Sequence, residues 1–219
     1  LLRRSSGSDE APRMLGAFNE ETPDWLSFFM FTYFTDRDGK MQLESLAQSG
    51  FDPLSRTCRF MLTEEAHHMF VGETGVGRTI QATAEAMNKA GITDPYDINA
   101  IRDLGVIDLP TIQKKLNLHY SLSLDLFGQE VSTNAANAFN AGIKGRYMEH
   151  RLEDDHKLSG DVYDVKMVKD NQIITEQMPA LSAINMRLRD DYVNDASGGL
   201  NRWNKTLKRA NIDFAFVLP

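Results

Sequence analysis

Two segments far apart in the chain each place a glutamate three residues before a histidine within a stretch patterned as a long helix. The first is Met61-Leu62-Thr63-Glu64-Glu65-Ala66-His67-His68-Met69-Phe70. The second is Tyr147-Met148-Glu149-His150-Arg151-Leu152-Glu153-Asp154-Asp155-His156. Residues i and i+3 share a helix face one turn apart, so each segment aims a carboxylate and an imidazole at the same neighbour. One such pair arises readily by chance. Two pairs, each preceded by a helix with an acid on its apolar face, match the ligand set of di-iron helical bundles. Carboxylate with imidazole suits iron or manganese. The fold this demands is mainly α, a bundle of long helices. The bland alternative is two Glu-His pairs on solvated faces.

Helical phase ranks the candidates. Glu64/His67 and Glu65/His68 both fit the first motif. At about 100° per residue, Cys58, Met61, Leu62 and Met69 cluster around Glu65; His68 borders that stripe and His67 is turned away. An acid on an apolar stripe is costly unless paired or metal-bound, so Glu65 and His68 are preferred over Glu64 and His67. Equal depth across a hairpin turning at residues 50 and 51 sets Asp36 opposite Glu65, on a face with Phe29, Tyr33 and Leu43. The alternative there is a surface acid beside Arg37 and Asp38. A second hairpin, bending near 139–142, offers Asp125 or Glu130 opposite Glu153. Asp125 shares its stripe with Leu118, Ser121, Leu122 and Gly128; Glu130 shares its face with His119, Asn134 and Asn137, which read as solvated. Asp125 is preferred. The expected metal ligands are Asp36, Glu65, His68, Asp125, Glu153 and His156, with no catalytic group beyond them.

The expected elements follow the punctuation. Thr22-Pro23-Asp24 opens a helix, with Thr22 as cap, running to about Gln48. A second runs from about Leu54 to Val71. Gly72-Glu73-Thr74-Gly75-Val76-Gly77 breaks or bends the chain before a helix over Arg78 to Ala90. Short pieces fill 91–111. A long helix covers Ile112 to about Asn137, and another Ile143 to Leu158. Val162–Val168 and Gln172–Thr175 alternate as a hairpin joined through Lys169-Asp170-Asn171, and Ala210–Val217 alternates like a strand. The chain reads as one domain: 1–159 is the di-iron bundle and 160–219 an irregular extension with a little β structure. It opens on Leu1-Leu2-Arg3-Arg4 and stops at Phe216-Val217-Leu218-Pro219, so an internal section of a longer protein is expected.

Composition narrows the partners. Of 219 residues, 42% are hydrophobic and 25% charged, enough for a sizeable core. The net charge of −7 argues against a nucleic-acid surface. No apolar run approaches the roughly 20 residues of a membrane span. One cysteine cannot form an internal disulfide, and no signal-peptide pattern is present, so a cytoplasmic location is expected.

The motifs also carry a family resemblance. Glu64-Glu65-Ala66-His67-His68-Met69 resembles the first metal motif of bacterial multicomponent di-iron monooxygenases, in the register of Glu65 and His68. With Arg146–His156 and Thr206-Leu207-Lys208-Arg209-Ala210-Asn211-Ile212-Asp213-Phe214, nearly the whole chain resembles the oxygenase components of the benzoyl-coenzyme A epoxidases. That resemblance implies a centre of two irons in a ferritin-like helical bundle, O2 as co-substrate, and epoxidation of the ring of an aryl-coenzyme A thioester. It further implies NADPH-derived electrons from a separate reductase. Asp36 and Asp125 stand where related monooxygenases often carry glutamate. The competing readings are a radical-generating subunit and ferritin-like iron oxidation or storage. The first needs a tyrosine one turn beyond the motif histidine, where Gly72 stands; the second lacks the insertion between Gly72 and Ile112. Gly72–Thr79 nearly spells a phosphate-binding loop, but Arg78 replaces the lysine and no strand precedes it. Cys58 reads as core packing. Lys205, Lys208 and Arg209 are as well explained by a solvated face as by coenzyme A phosphates.

Overall fold

The computed structural model describes residues 16–127 and 162–219. These fall into two compact units, Glu20–Ser123 with Tyr192–Pro219, and Leu1–Asn19 with Leu124–Asp191. Among the described residues the chain is mainly helical with one two-stranded sheet, as expected.

The larger unit is built on α1 (Trp25–Leu46) and α2 (Asp52–Ala90). Asp24, rather than Thr22, caps α1: its carboxylate accepts from the Ser27 N–H at 2.7 Å. Pro23 then lies before the cap, where its missing N–H leaves no helical bond unmade. α1 ends sooner than expected, and the Ser55 hydroxyl ties the connection by donating to the Ala47 carbonyl at 2.7 Å.

α2 is one uninterrupted helix of 39 residues, so the expected break at Gly72–Gly77 does not occur. Those glycines are contact points. A Cβ on Gly72 would stand 2.6 Å from the Tyr33 backbone nitrogen, and one on Gly75 would collide with the Phe29 ring. Each glycine costs about 1 kcal/mol of helix propensity, which close approach of two long helices offsets. Phe29 meets Gly75, Tyr33 meets Gly72 and Gly39 meets Glu65, so the two helices run antiparallel.

Residues 91–108 form short pieces, as expected, around α3 (Ile98–Asp103). Asp108 then starts α4 (Leu109–Leu126) by accepting from the Thr111 N–H at 2.8 Å, and Arg102 holds it at 2.6 Å. The described part of the helix expected to reach Asn137 ends in a turn at Phe127; the helix expected over Ile143–Leu158 lies outside the described residues.

α5 (Ala180–Arg209) is a 30-residue helix where the sequence suggested irregular chain. Its buried Tyr192, Ala196, Leu200, Trp203 and Leu207 recur at helical spacing, a period masked by Gly198-Gly199 and the charged run before it. Gly199 leaves room for the Tyr33 hydroxyl, which donates to the Ala196 carbonyl at 2.9 Å. Trp203 packs on Tyr33 with ring centroids 4.7 Å apart. On another side of α1, Phe34 meets Tyr120 edge-on at 5.8 Å and Thr35 bonds Ser123 at 3.2 Å. α1 is therefore wrapped by α2, α4 and α5, and Tyr33 and Phe34 are fully buried.

Residues 210–217 form no strand. Asn211, at φ 57°, turns the chain off α5. Side-chain amides then take the backbone bonds that a neighbouring strand would have made: Asn204 brackets Phe216 at 2.8 and 2.9 Å, and Gln113 brackets Val217 at 3.0 and 2.8 Å.

In the smaller unit, β1 (Val162–Lys169) pairs antiparallel with β2 (Gln172–Pro179). Asp170 and Asn171, at φ 51° and 62°, make the tight two-residue turn whose twist suits a hairpin. The expected hairpin is present and longer than its alternating core.

Candidate metal centre

Asp36 projects from α1, and Glu65 and His68 from successive turns of α2, where the two helices pack. One ligand atom from each lies within 4.8 Å of the other two. His68 Nδ1 is 3.6 Å from Asp36 Oδ2 and 3.8 Å from Glu65 Oε2. The level is shifted from the expected one: Gly39, not Asp36, faces Glu65 directly, and Asp36 reaches His68. The facing pairs Phe29–Gly75, Tyr33–Gly72 and Gly39–Glu65 centre the hairpin near residue 52 rather than at 50 and 51. Glu64 and His67 are exposed and stand outside the group.

Burial makes the cluster electrostatically unsettled. It pushes Asp36 up to about 6, helped by the Glu65 carboxylate, while His68 pulls the other way. Glu65 is likewise raised, chiefly by burial, with His68 opposing. Its Oε2 is buried and accepts no hydrogen bond among the described residues. Two half-buried carboxylates thus share one imidazole, too little positive charge to settle them. A divalent cation would meet that demand, and carboxylate–imidazole donors fit iron. His68 is 48% exposed, which leaves one side open.

Asp125 belongs to the smaller unit, half-buried in the last turn of α4. The stripe on which it was preferred is less apolar than it read: Leu118 is 41% exposed and Ser121 is exposed. The buried side of α4 runs instead through Ile112, Leu116, His119, Tyr120 and Ser123. His119, read as solvated, is 3% exposed, and burial lowers it to about 4. The face comparison between Asp125 and Glu130 therefore loses its premise. Glu130, Glu149, Glu153 and His156 lie outside the described residues.

Sequence reasoning missed a clamp beside the cluster. Arg37, named from the sequence only as a neighbour of Asp36, is 4% exposed. Its guanidinium donates to Asp195 of α5 at 3.1 Å and to the Tyr33 carbonyl at 2.9 Å, and Lys40 joins Asp195 at 3.3 Å. Asp195 thereby holds the turn of α1 that follows Asp36. Recognising α5 as a helix was the signal needed. The near-match to a phosphate loop is plain α2 helix, which supplies no loop of free N–H groups. Cys58 is buried with Leu43 and Ala47 at the α1–α2 connection, a packing residue as read.

No protein-family model matches the chain. Over all 219 residues, however, it is 57% identical to Benzoyl-CoA oxygenase component B of Aromatoleum evansii. The chain is homologous to that oxygenase component. It spans 46% of the relative's length, so the homology concerns a section of that protein. The resemblance carried by the two motif segments and the Thr206–Phe214 stretch is borne out along the whole chain. No described helix is long and apolar enough to cross a membrane.

Proposed function

We propose that the chain is the section of a benzoyl-coenzyme A oxygenase that holds its di-iron centre, for which Asp36, Glu65, His68, Asp125, Glu153 and His156 would be the ligands. The convergence of Asp36, Glu65 and His68 around an unbonded buried oxygen supports this reading. Bound iron supplies the one-electron and O2 chemistry that side chains lack. The reaction is insertion of one oxygen atom from O2 into the ring of an aryl-coenzyme A thioester, giving an epoxide. The chain's own residues would hold the metal: Asp36 and Glu65 would carry the charge, and His68 would complete the set from the open side. Electron delivery we assign to a separate NADPH-dependent reductase. The relative's name, component B, is in keeping with a partner.

The test supplies full-length protein, reductase, NADPH and benzoyl-coenzyme A under labelled O2. Labelled epoxide or its hydration product is expected, with about two irons per chain. NADPH oxidation with no label in product, across several aryl thioesters, rejects the reading.

A further inference from the structure

A groove opens along α2 just beyond the cluster. Its cavity is about 510 Å³, within the range of roughly 300–1,000 Å³ typical of small-molecule sites. One wall is α2 from Phe70 to Thr83, the second the Phe29 ring of α1, and the third the Gly105–Ile107 connection between α3 and α4. That connection is fixed to α2, since the Thr83 hydroxyl donates to the Ile107 carbonyl at 2.7 Å. The Phe29 ring is seated on Gly75, where any side chain would displace it.

The groove continues the face of α2 that carries His68. Val71, Gly75, Thr79 and Ala82 follow His68 at i+3 and i+4 steps, so they form one row. At about 1.5 Å per residue, Val71 lies some 4.5 Å and Arg78 about 15 Å past His68 along the axis. The near end is aromatic and aliphatic, with Phe70 and Val71, and the Phe29 ring lies farther along, level with Gly75 about 10 Å past His68. The far end carries Arg78, which among the described residues makes no hydrogen bond or ion pair. Its neighbouring acids are otherwise engaged, Glu73 with Arg202 and Glu85 with Gln81.

We propose that this groove seats the acyl thioester, its flat ring between Phe29 and Phe70 at the end beside His68 and an anionic group of coenzyme A on Arg78. The inference rests on the oxygenase reading above for the identity of the ligand. Its geometry comes from the groove: an apolar slot that begins within a turn of His68, and a cation farther along the same wall.

The test measures equilibrium binding to iron-loaded full-length protein without reductase, so that no turnover is needed. The ligands are benzoyl-coenzyme A and benzoyl-N-acetylcysteamine, which keeps the ring and thioester but has no charge. Arg78→Gln should weaken benzoyl-coenzyme A about tenfold, the loss of a charged hydrogen bond, and leave the uncharged thioester within twofold. Ala82→Trp, at an exposed position on the wall, should weaken both ligands. Iron content and circular dichroism confirm that each variant is folded and loaded. If both variants bind benzoyl-coenzyme A within twofold of the parent, the groove is not the thioester site and the proposal falls, while labelled product from the parent would leave the oxygenase reading standing. If Arg78→Gln shows the selective loss but the parent forms no labelled product, the groove stands and the oxygenase reading falls.

Discussion

His67 and His68 are neighbours in the chain, yet helical phase gives them different surroundings: His68 reaches Asp36 and Glu65, and His67 is exposed. His67→Ala should therefore retain most iron in full-length protein, whereas His68→Ala should lose about half of it. Metal analysis after desalting decides, and the opposite pattern would transfer the site to Glu64 and His67. His119 poses a different question, because it is buried without belonging to the cluster. Its unfolded form takes a proton near 6.5 and its folded form only near 4. Between those values the unfolded state binds more protons, so stability falls as pH falls through that window. The span corresponds to about 3 kcal/mol at most. Denaturant unfolding of parent and His119→Asn at several pH values should show the parent losing more stability from pH 6.5 to 4. Parallel pH profiles would reject the assignment.

At the scale of elements, the α1–α2 pair depends on what its glycines touch. Gly72→Ala adds helix propensity but drives a methyl into the Tyr33 backbone, and overpacking of this kind costs about 1–3 kcal/mol. Gly77 has only the Trp203 ring edge at 3.6 Å, an ordinary contact, so Gly77→Ala should stabilise by up to about 1 kcal/mol. Urea midpoints moving in opposite directions are the expected outcome; a stabilised Gly72→Ala would mean the helices do not meet there. The glycine run was read as a bend because local propensity says so. What overrode it was the neighbouring helix, whose backbone can approach only where no Cβ intervenes. The same kind of override hid α5, where Gly199 accommodates Tyr33 and a helical stripe of buried residues crosses two glycines.

For the molecule as a whole, a metal site built from half-buried acids should trade stability for function. Asp36, raised to about 6, is disfavoured as an anion in the folded chain, so at pH 7 it destabilises the iron-free protein by up to about 3 kcal/mol. Iron-free Asp36→Asn should unfold at a higher temperature than the iron-free parent. Iron should raise the parent's melting temperature, as a ligand bound only by the folded state must, and should raise that of the variant by less. Scanning calorimetry in chelator and in excess ferrous iron separates these cases. A parent stabilised by chelation would contradict the site.

Much of this was legible from residues alone. A Glu-x-x-His pair sets its own geometry within one turn of helix, so Glu65 and His68 could be paired from spacing and phase. The hairpin could be read because Asp170-Asn171 supplies both positive φ angles locally. Asp36 was reachable because two helices joined by a short link must lie level. Tertiary structure decided the rest. It set which turn of α1 faces which turn of α2, because that depends on where the link pivots. It buried Arg37 and His119, because three helices close around α1 from sides no single helix reveals. It kept 210–217 out of a sheet, because Asn204 and Gln113, distant in sequence, meet its backbone first. Spacing within an element is a property of the chain; burial and register between elements are properties of the neighbours it acquires on folding.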